Sequence, residues 1–133
     1  MERARASFPA RWEDGGVLVV DVVGEFDGAA ATELCGLLAR MTGTGQRLFV
    51  VDFGKAGRCE PGVIRQFVRA TLETKAGPGD SFLAVVASPA TRPALHTEGA
   101  GRLAGGIHDT VTDAVEACWA SAPEELGGAG VLN

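Results

Sequence analysis

Few residues in this chain could do chemistry. Of its 133 residues, two are histidine, three are cysteine and none is tyrosine. His96 and His108 stand in no spacing that would bring a second ligand onto the same helix face. A metal centre needs three or four ligands, so neither a metal site nor a cofactor is expected. Cys59 precedes an expected helix N-terminus, where a thiol pKa can fall. Glu60 beside it repels a thiolate, however, and no partner base can be named, so a cysteine-dependent enzyme is set aside. Cys35 and Cys118 read as small core residues. Gly99-Ala-Gly101-Arg-Leu-Ala104 spells the GxGxxA dinucleotide fingerprint, but follows a helix and precedes a weak strand. The pyrophosphate contact requires the reverse order. Gly43-Thr-Gly45 lacks the lysine of a P-loop. What remains is charge. Arg65 and Arg69 lie one helical turn apart, with Lys55 and Arg58 in the loop before them, and four cations around one helix can orient an acidic partner surface. The residues point to a binding protein and not to an enzyme.

Composition agrees with that reading. The chain is 46% hydrophobic and 22% charged, with 12 Lys+Arg against 17 Asp+Glu and a formal charge of −5. A chain of this length buries roughly two-thirds of its unfolded surface and needs no staples. One domain is expected over residues 1–121, with a flexible tail over 122–133. An acidic balance without a basic block argues against nucleic acid. The longest apolar runs fall far short of the roughly 18 residues that cross a bilayer. No export signal follows Met1, and an odd cysteine count suits a reducing compartment, so a cytoplasmic location is expected.

Hydrophobic period supplies the elements that must position these residues. A first strand within Phe8–Trp12 carries Pro9, which belongs on an edge. Val17–Val23 is a strong strand ended by Gly24-Glu25-Phe26-Asp27. Asp27 caps a helix whose stripe is Ala30, Leu34, Leu37, Leu38 and Met41, stopped by Thr42–Gly45. Arg47–Phe53 is a second buried strand and Gly54–Glu60 a loop. Pro61 opens a helix with Val63, Ile64, Phe67, Val68 and Leu72 inward and Arg65, Arg69 and Glu73 outward. Ala76–Asp80 breaks the chain before a third strand, Ser81–Ala87. Pro93 makes the helix after Ser88-Pro89 short or late. Arg102–Ile107 is a weak last strand. Thr110-Val-Thr-Asp113 has capping-box spacing and opens a helix with Val111, Ala114, Val115, Cys118 and Trp119 inward, ended by Pro123. Alternating strands and helices predict an α/β fold with a mixed, mostly parallel sheet of four to five strands and about four helices packed mainly on one side. The half-polar first strand implies that one sheet face is less fully covered.

In order, these elements resemble the STAS domain, the family of anti-sigma factor antagonists and their relatives. Val17-Leu-Val-Val-Asp-Val-Val-Gly-Glu-Phe-Asp27 is similar to the family strand ending in Gly-Glu-Leu-Asp. Leu48-Phe-Val-Val-Asp-Phe53 resembles the central strand ending in Asp-Leu. Leu83-Ala-Val-Val-Ala-Ser-Pro89 and Thr110-Val-Thr-Asp-Ala-Val-Glu-Ala117 resemble the fourth strand and last helix. The likeness covers about residues 8 to 120.

The resemblance departs at one place. The family carries Asp-Ser-Ser-Gly-Leu at the start of its second helix, where a kinase that doubles as an anti-sigma factor phosphorylates a serine. This chain has Glu60-Pro61-Gly62-Val63-Ile64, so Pro61 and Gly62 replace both hydroxyls and no phosphoacceptor remains. A fixed carboxylate at Glu60 also disfavours an anion at that helix N-terminus. The resemblance implies a non-enzymatic protein-interaction module. Its partner would be an anti-sigma factor with a kinase-like ATP-binding domain, or a signalling assembly. The expected contact residues are Asp27, Arg58, Glu60, Pro61, Gly62, Arg65 and Arg69. Because STAS-like domains also occur beside anion and lipid transporters, the second reading is a small-ligand or lipid carrier, with room for the ligand left by glycines near the last strand. The sequence does not set the oligomeric state.

Overall fold

A computed structural model describes residues 6–13, 15–73, 82–103 and 105–121. The apolar runs become the strands of a five-stranded sheet. β2 (Val17–Asp21), β4 (Leu48–Asp52), β6 (Phe82–Val86) and β7 (Gly106–His108) run parallel in that order across it, and β1 (Ala10–Glu13) lies antiparallel to β2 at one edge. Continuous Val/Leu runs are what strands need when both faces are covered. Val17, Val19 and Val20 are indeed fully buried.

Three helices lie on one face. α1 (Gly28–Gly43), α2 (Pro61–Glu73) and the short α3 (Arg92–Thr97) pack there around Leu18, Val20, Phe49, Val51, Leu83 and Val85. α4 (Val111–Ser121) packs on the other, over Val17, Val19, Leu48, Val50, Ala84 and Val86. The α/β architecture, the mostly parallel sheet and the one-sided majority of helices are as expected. The capping chemistry is too. Asp27 Oδ1 accepts from the Ala30 N–H at 2.9 Å, and the Asp113 N–H donates to Thr110 Oγ1 at 3.1 Å. Pro93 delays α3 to Arg92, so that the ring sits in its first turn where no donor is lost.

Four expectations are corrected. The strand expected over Val17–Val23 is shorter, Val17–Asp21. The chain leaves the main sheet after Asp21, and Gly24, at φ 98, turns it into a separate strand, β3 (Gly24–Phe26). A side chain is strained at that φ, which is why glycine stands there. The stretch Gly54–Glu60 is not all loop. Ala56–Cys59 forms β5, paired parallel with β3 in a two-stranded sheet, with Gly24 opposite Ala56 and Phe26 opposite Cys59. Ala-Gly-Arg-Cys has no strand pattern of its own, and the pairing comes from the free edge of β3. The weak last strand begins only at Gly106, because Ala100–Arg102 winds into a 3-10 turn. Trp119 does not point inward. It is 38% exposed at the rim, close enough that a Cβ on Gly16 would lie 3.1 Å from its ring. The break at Ala76–Asp80, Ser81, Pro123 and the tail 122–133 lie outside the described residues.

Candidate functional site

The two-stranded sheet acts as a frame for the start of α2. Its strands run parallel, so the residues that follow them, Asp27 and Glu60, stand at the same end and lead into α1 and α2 side by side. Three phenylalanines fix the frame to the core. Phe26 ends β3, Phe53 follows β4 and Phe67 comes from α2, with ring centroids 5.1, 5.8 and 6.0 Å apart in edge-to-face pairs. All three are at most 1% exposed. Such pairs add about 0.5–1.5 kcal/mol each beyond the area they bury, so the entry to α2 is held rigidly from beneath.

The outer surface of that entry is bare. Glu60, Pro61 and Gly62 are exposed. The Glu60 carbonyl accepts the N–H of Val63 and of Ile64, both at 3.0 Å, which starts the helix. Pro61 takes the first position, where its missing donor costs nothing. Gly62 has no positive φ, and a Cβ there would meet nothing within 4 Å. Glycine is thus not required at this position, and a serine would fit. Gly62, Arg65, Gln66, Arg69 and Ala70 line a shallow, open depression of about 360 Å³ along the outward face of α2.

The expected cluster of four cations is divided. Lys55 turns away from α2 and places Nζ 3.3 Å from Asp21 Oδ2. Arg65 is 62% exposed but already engaged, with Nε 2.7 Å from Glu98 Oε1, and that hydrogen bond raises its pKa further. Glu98, just after α3, has a side chain only 7% exposed. Arg69 beside the depression and Arg58 on β5 are exposed and make no ion pair among the described residues. The structure therefore gathers Glu60, Pro61, Gly62, Arg65 and Arg69 on one surface. Asp27 stands beside its upper end, half-buried, with its carboxylate used as a cap.

Two participants escaped the sequence reading. Glu98 carried no signal, because its partner lies 33 positions away. Asp21 did carry one, as the lone charge inside an apolar strand. It is 5% exposed, and its carboxylate receives Arg11 Nη1 at 3.2 Å on both oxygens as well as Lys55. The result is a charge knot around one buried carboxylate at the C-terminal ends of β2 and β4.

The remaining chemical candidates recede. Burial pushes the Cys59 and Cys35 thiols up, against nucleophilic use. Burial raises Cys118 to about 11. His96 is exposed, His108 Nε2 lies 2.6 Å from the Gly105 carbonyl oxygen, and no metal-holding cluster exists among the described residues. No described helix is long and apolar enough to cross a membrane. Gly105, next to the last strand, leaves no open space of its own. A Cβ on Gly105 would lie 2.7 Å from Ala84, so that glycine serves close packing. The space between sheet and helices is filled by Phe26, Leu34, Phe53, Ile64, Phe67 and Leu95, all under 2% exposed.

Comparison with solved structures decides what this geometry is like. The chain superimposes on an anti-sigma factor antagonist from Mycobacterium paratuberculosis with a TM-score of 0.69 and 27% identity, over 89% of this chain and 99% of that one. The fold is STAS-like. The NMR structure of the protein TM1081 matches with a TM-score of 0.59 at 16% identity, over 87% of this chain and 91% of that one, and shares the fold. No family model matches the chain, and no curated protein does. The structure is anti-sigma factor antagonist-like over the 89% of the chain that superimposes.

Proposed function

We propose that this STAS-like domain is a non-enzymatic, cytoplasmic interaction module that docks an anti-sigma factor bearing a kinase-like ATP-binding domain, or a signalling assembly built on one. The single observation that supports this most is the entry to α2. It is braced by the phenylalanine triad, exposed at Glu60, Pro61 and Gly62, and flanked by Arg65 and Arg69. Arg58 and Asp27 border the same surface. Neither proline nor glycine accepts phosphate, so docking here is constitutive or set by abundance.

The test is a binding titration with the cognate anti-sigma factor. Arg69→Glu is the informative variant, because Arg69 has no described intramolecular partner. Arg65→Glu would instead set two carboxylates against each other at Glu98. Arg69→Glu should slow association by about tenfold and flatten its salt dependence. Unchanged association would remove α2 as the docking surface. Incubation with ATP should leave residues 60–64 unphosphorylated, and Pro61→Ser with Gly62→Ser should restore a phosphoacceptor on the same backbone. Stoichiometric phosphate at those positions of the unaltered chain would refute constitutive docking.

A further inference from the structure

The sheet edge at β1 carries a second surface. Among the described residues β1 has one neighbour, β2, and nothing pairs with its other edge. The bonds to β2 fall on odd-numbered residues. Ser7 exchanges two hydrogen bonds with Val23, the Asp21 N–H donates to the Pro9 carbonyl, and the register continues through Arg11–Val19 and Glu13–Val17. In an antiparallel ladder the hydrogen-bonding groups alternate sides, so the N–H and C=O of Ala10 and Trp12 face the open edge. Pro9 does not blunt that edge, because its missing N–H lies on the paired side. Edge strands are normally shielded by short length, charge, proline or a bulge, and β1 is short and carries Arg11 and Glu13, charges that oppose a random partner strand but not a complementary one. Here Trp12, 57% exposed, sits in the middle of the strand.

We propose that β1 pairs with β1 of a second copy of this chain, antiparallel about a two-fold axis through Trp12, making one continuous sheet across a homodimer. The side chains select this register. Arg11 and Glu13 share one sheet face, and Ala10 and Trp12 the other. An axis through Arg11 sets Arg11 against itself, and an axis through Glu13 does the same to the carboxylate. An axis through Ala10 pairs Pro9 with Arg11 and leaves the charges unmatched. Only the axis through Trp12 places each Arg11 opposite Glu13 of the other copy. The four charges then alternate in sign around the axis, and Trp12 meets Trp12 as a cross-strand aromatic pair. Arg11 Nε already holds Glu13 Oε2 at 3.0 Å, so the two side chains are presented together on the free protein. Two strands of this length bury less than the roughly 1,200 Å² of a standard interface, which puts the contact in the weak, reversible class.

Sedimentation equilibrium of the full chain from about 5 to about 500 μM samples the concentrations at which weak self-association populates a dimer. The expected result is a reversible monomer–dimer transition with an isotope-filtered Hα–Hα contact between Arg11 and Glu13 of different copies, since that pair is the close, non-hydrogen-bonded one. Glu13→Arg should abolish the dimer by setting cations opposite cations. Trp12→Ala should do so by removing the cross-strand aromatic pair on the axis. Neither change touches the β1–β2 bonds, and circular dichroism with the unfolding midpoint verifies the fold. A wild-type chain monomeric throughout the range, or a dimer that survives both variants or lacks the Arg11–Glu13 contact, would overturn the proposal. Because the docking surface on α2 is not involved, loss of the dimer with intact partner binding, or the reverse, separates the two readings.

Discussion

The knot at Asp21 makes an asymmetric prediction about which side chain can be removed cheaply. The Asp21 side chain is 6% exposed, whereas Arg11 is 43% and Lys55 is 64% exposed. Asp21→Asn leaves two cations that water can reach and keeps an oxygen for Arg11. It should cost at most about 1 kcal/mol. Lys55→Ala should also cost under about 1 kcal/mol, because Lys55 is mostly solvated and Arg11 remains. Arg11→Ala removes the closer partner at 3.2 Å and should cost about 1–2 kcal/mol, with Lys55 and entering water compensating in part. Removing both cations strands the carboxylate without a described counter-charge. The double variant should lose about 3–5 kcal/mol, more than the two single losses together. Urea unfolding of the four variants and the parent, fitted with a common m-value, gives the cycle directly. The reasoning fails if Asp21→Asn costs as much as the double cation variant. It fails equally if the two cation losses merely add, since then the carboxylate is solvated and no knot exists.

Two further outcomes follow from burial. Phe67→Ala removes the ring that touches both Phe26 and Phe53 and should cost about 3–5 kcal/mol in denaturant unfolding, whereas Phe67→Leu, which keeps most of the volume, should cost clearly less. The Cys118 thiol is pushed from its ordinary value of 9.0 to about 11, so the folded chain holds this proton more tightly than the unfolded one. The unfolded state therefore deprotonates first as pH rises. This group leaves stability unchanged below about pH 9 and removes it progressively up to about pH 11, by at most about 2–3 kcal/mol. Comparing the parent with Cys118→Ala by urea unfolding at pH 8 and pH 10.5 isolates the effect. An identical slope in both proteins would show that the thiol is not desolvated.

The main sheet was legible because its determinants are local. Val17–Val20, Leu48–Val51 and Leu83–Val86 are unbroken apolar runs, and such runs suit strands buried on both faces. The caps at Asp27 and Thr110 were legible for the same reason, since each bonds within three residues. The small sheet was not. β5 has no pattern, and its existence depends on Gly24 turning β3 toward it from 32 positions upstream of Ala56. The proposed docking surface was half-read. Glu60–Gly62 and the spacing of Arg65 and Arg69 follow from the helix alone. The engagement of Arg65 by Glu98, and of Lys55 by Asp21, depends on tertiary contacts that no local window contains. The one signal overlooked was compositional, an aspartate placed where every neighbour in the strand is apolar.

The distribution of helices has a consequence for how this chain is made. One face of the sheet is closed by elements interleaved with the strands, so it can be covered as translation proceeds. The other depends on α4, which follows every strand it must cover. Until residues 111–121 emerge, Val17, Val19, Leu48, Val50, Ala84 and Val86 present a bare apolar plane beside the open strand β1. That interval is when the nascent protein is most vulnerable to aggregation and to chaperone capture. Substitutions that loosen α4 should therefore lower the yield of folded chain in the cell by more than their effect on the finished molecule implies.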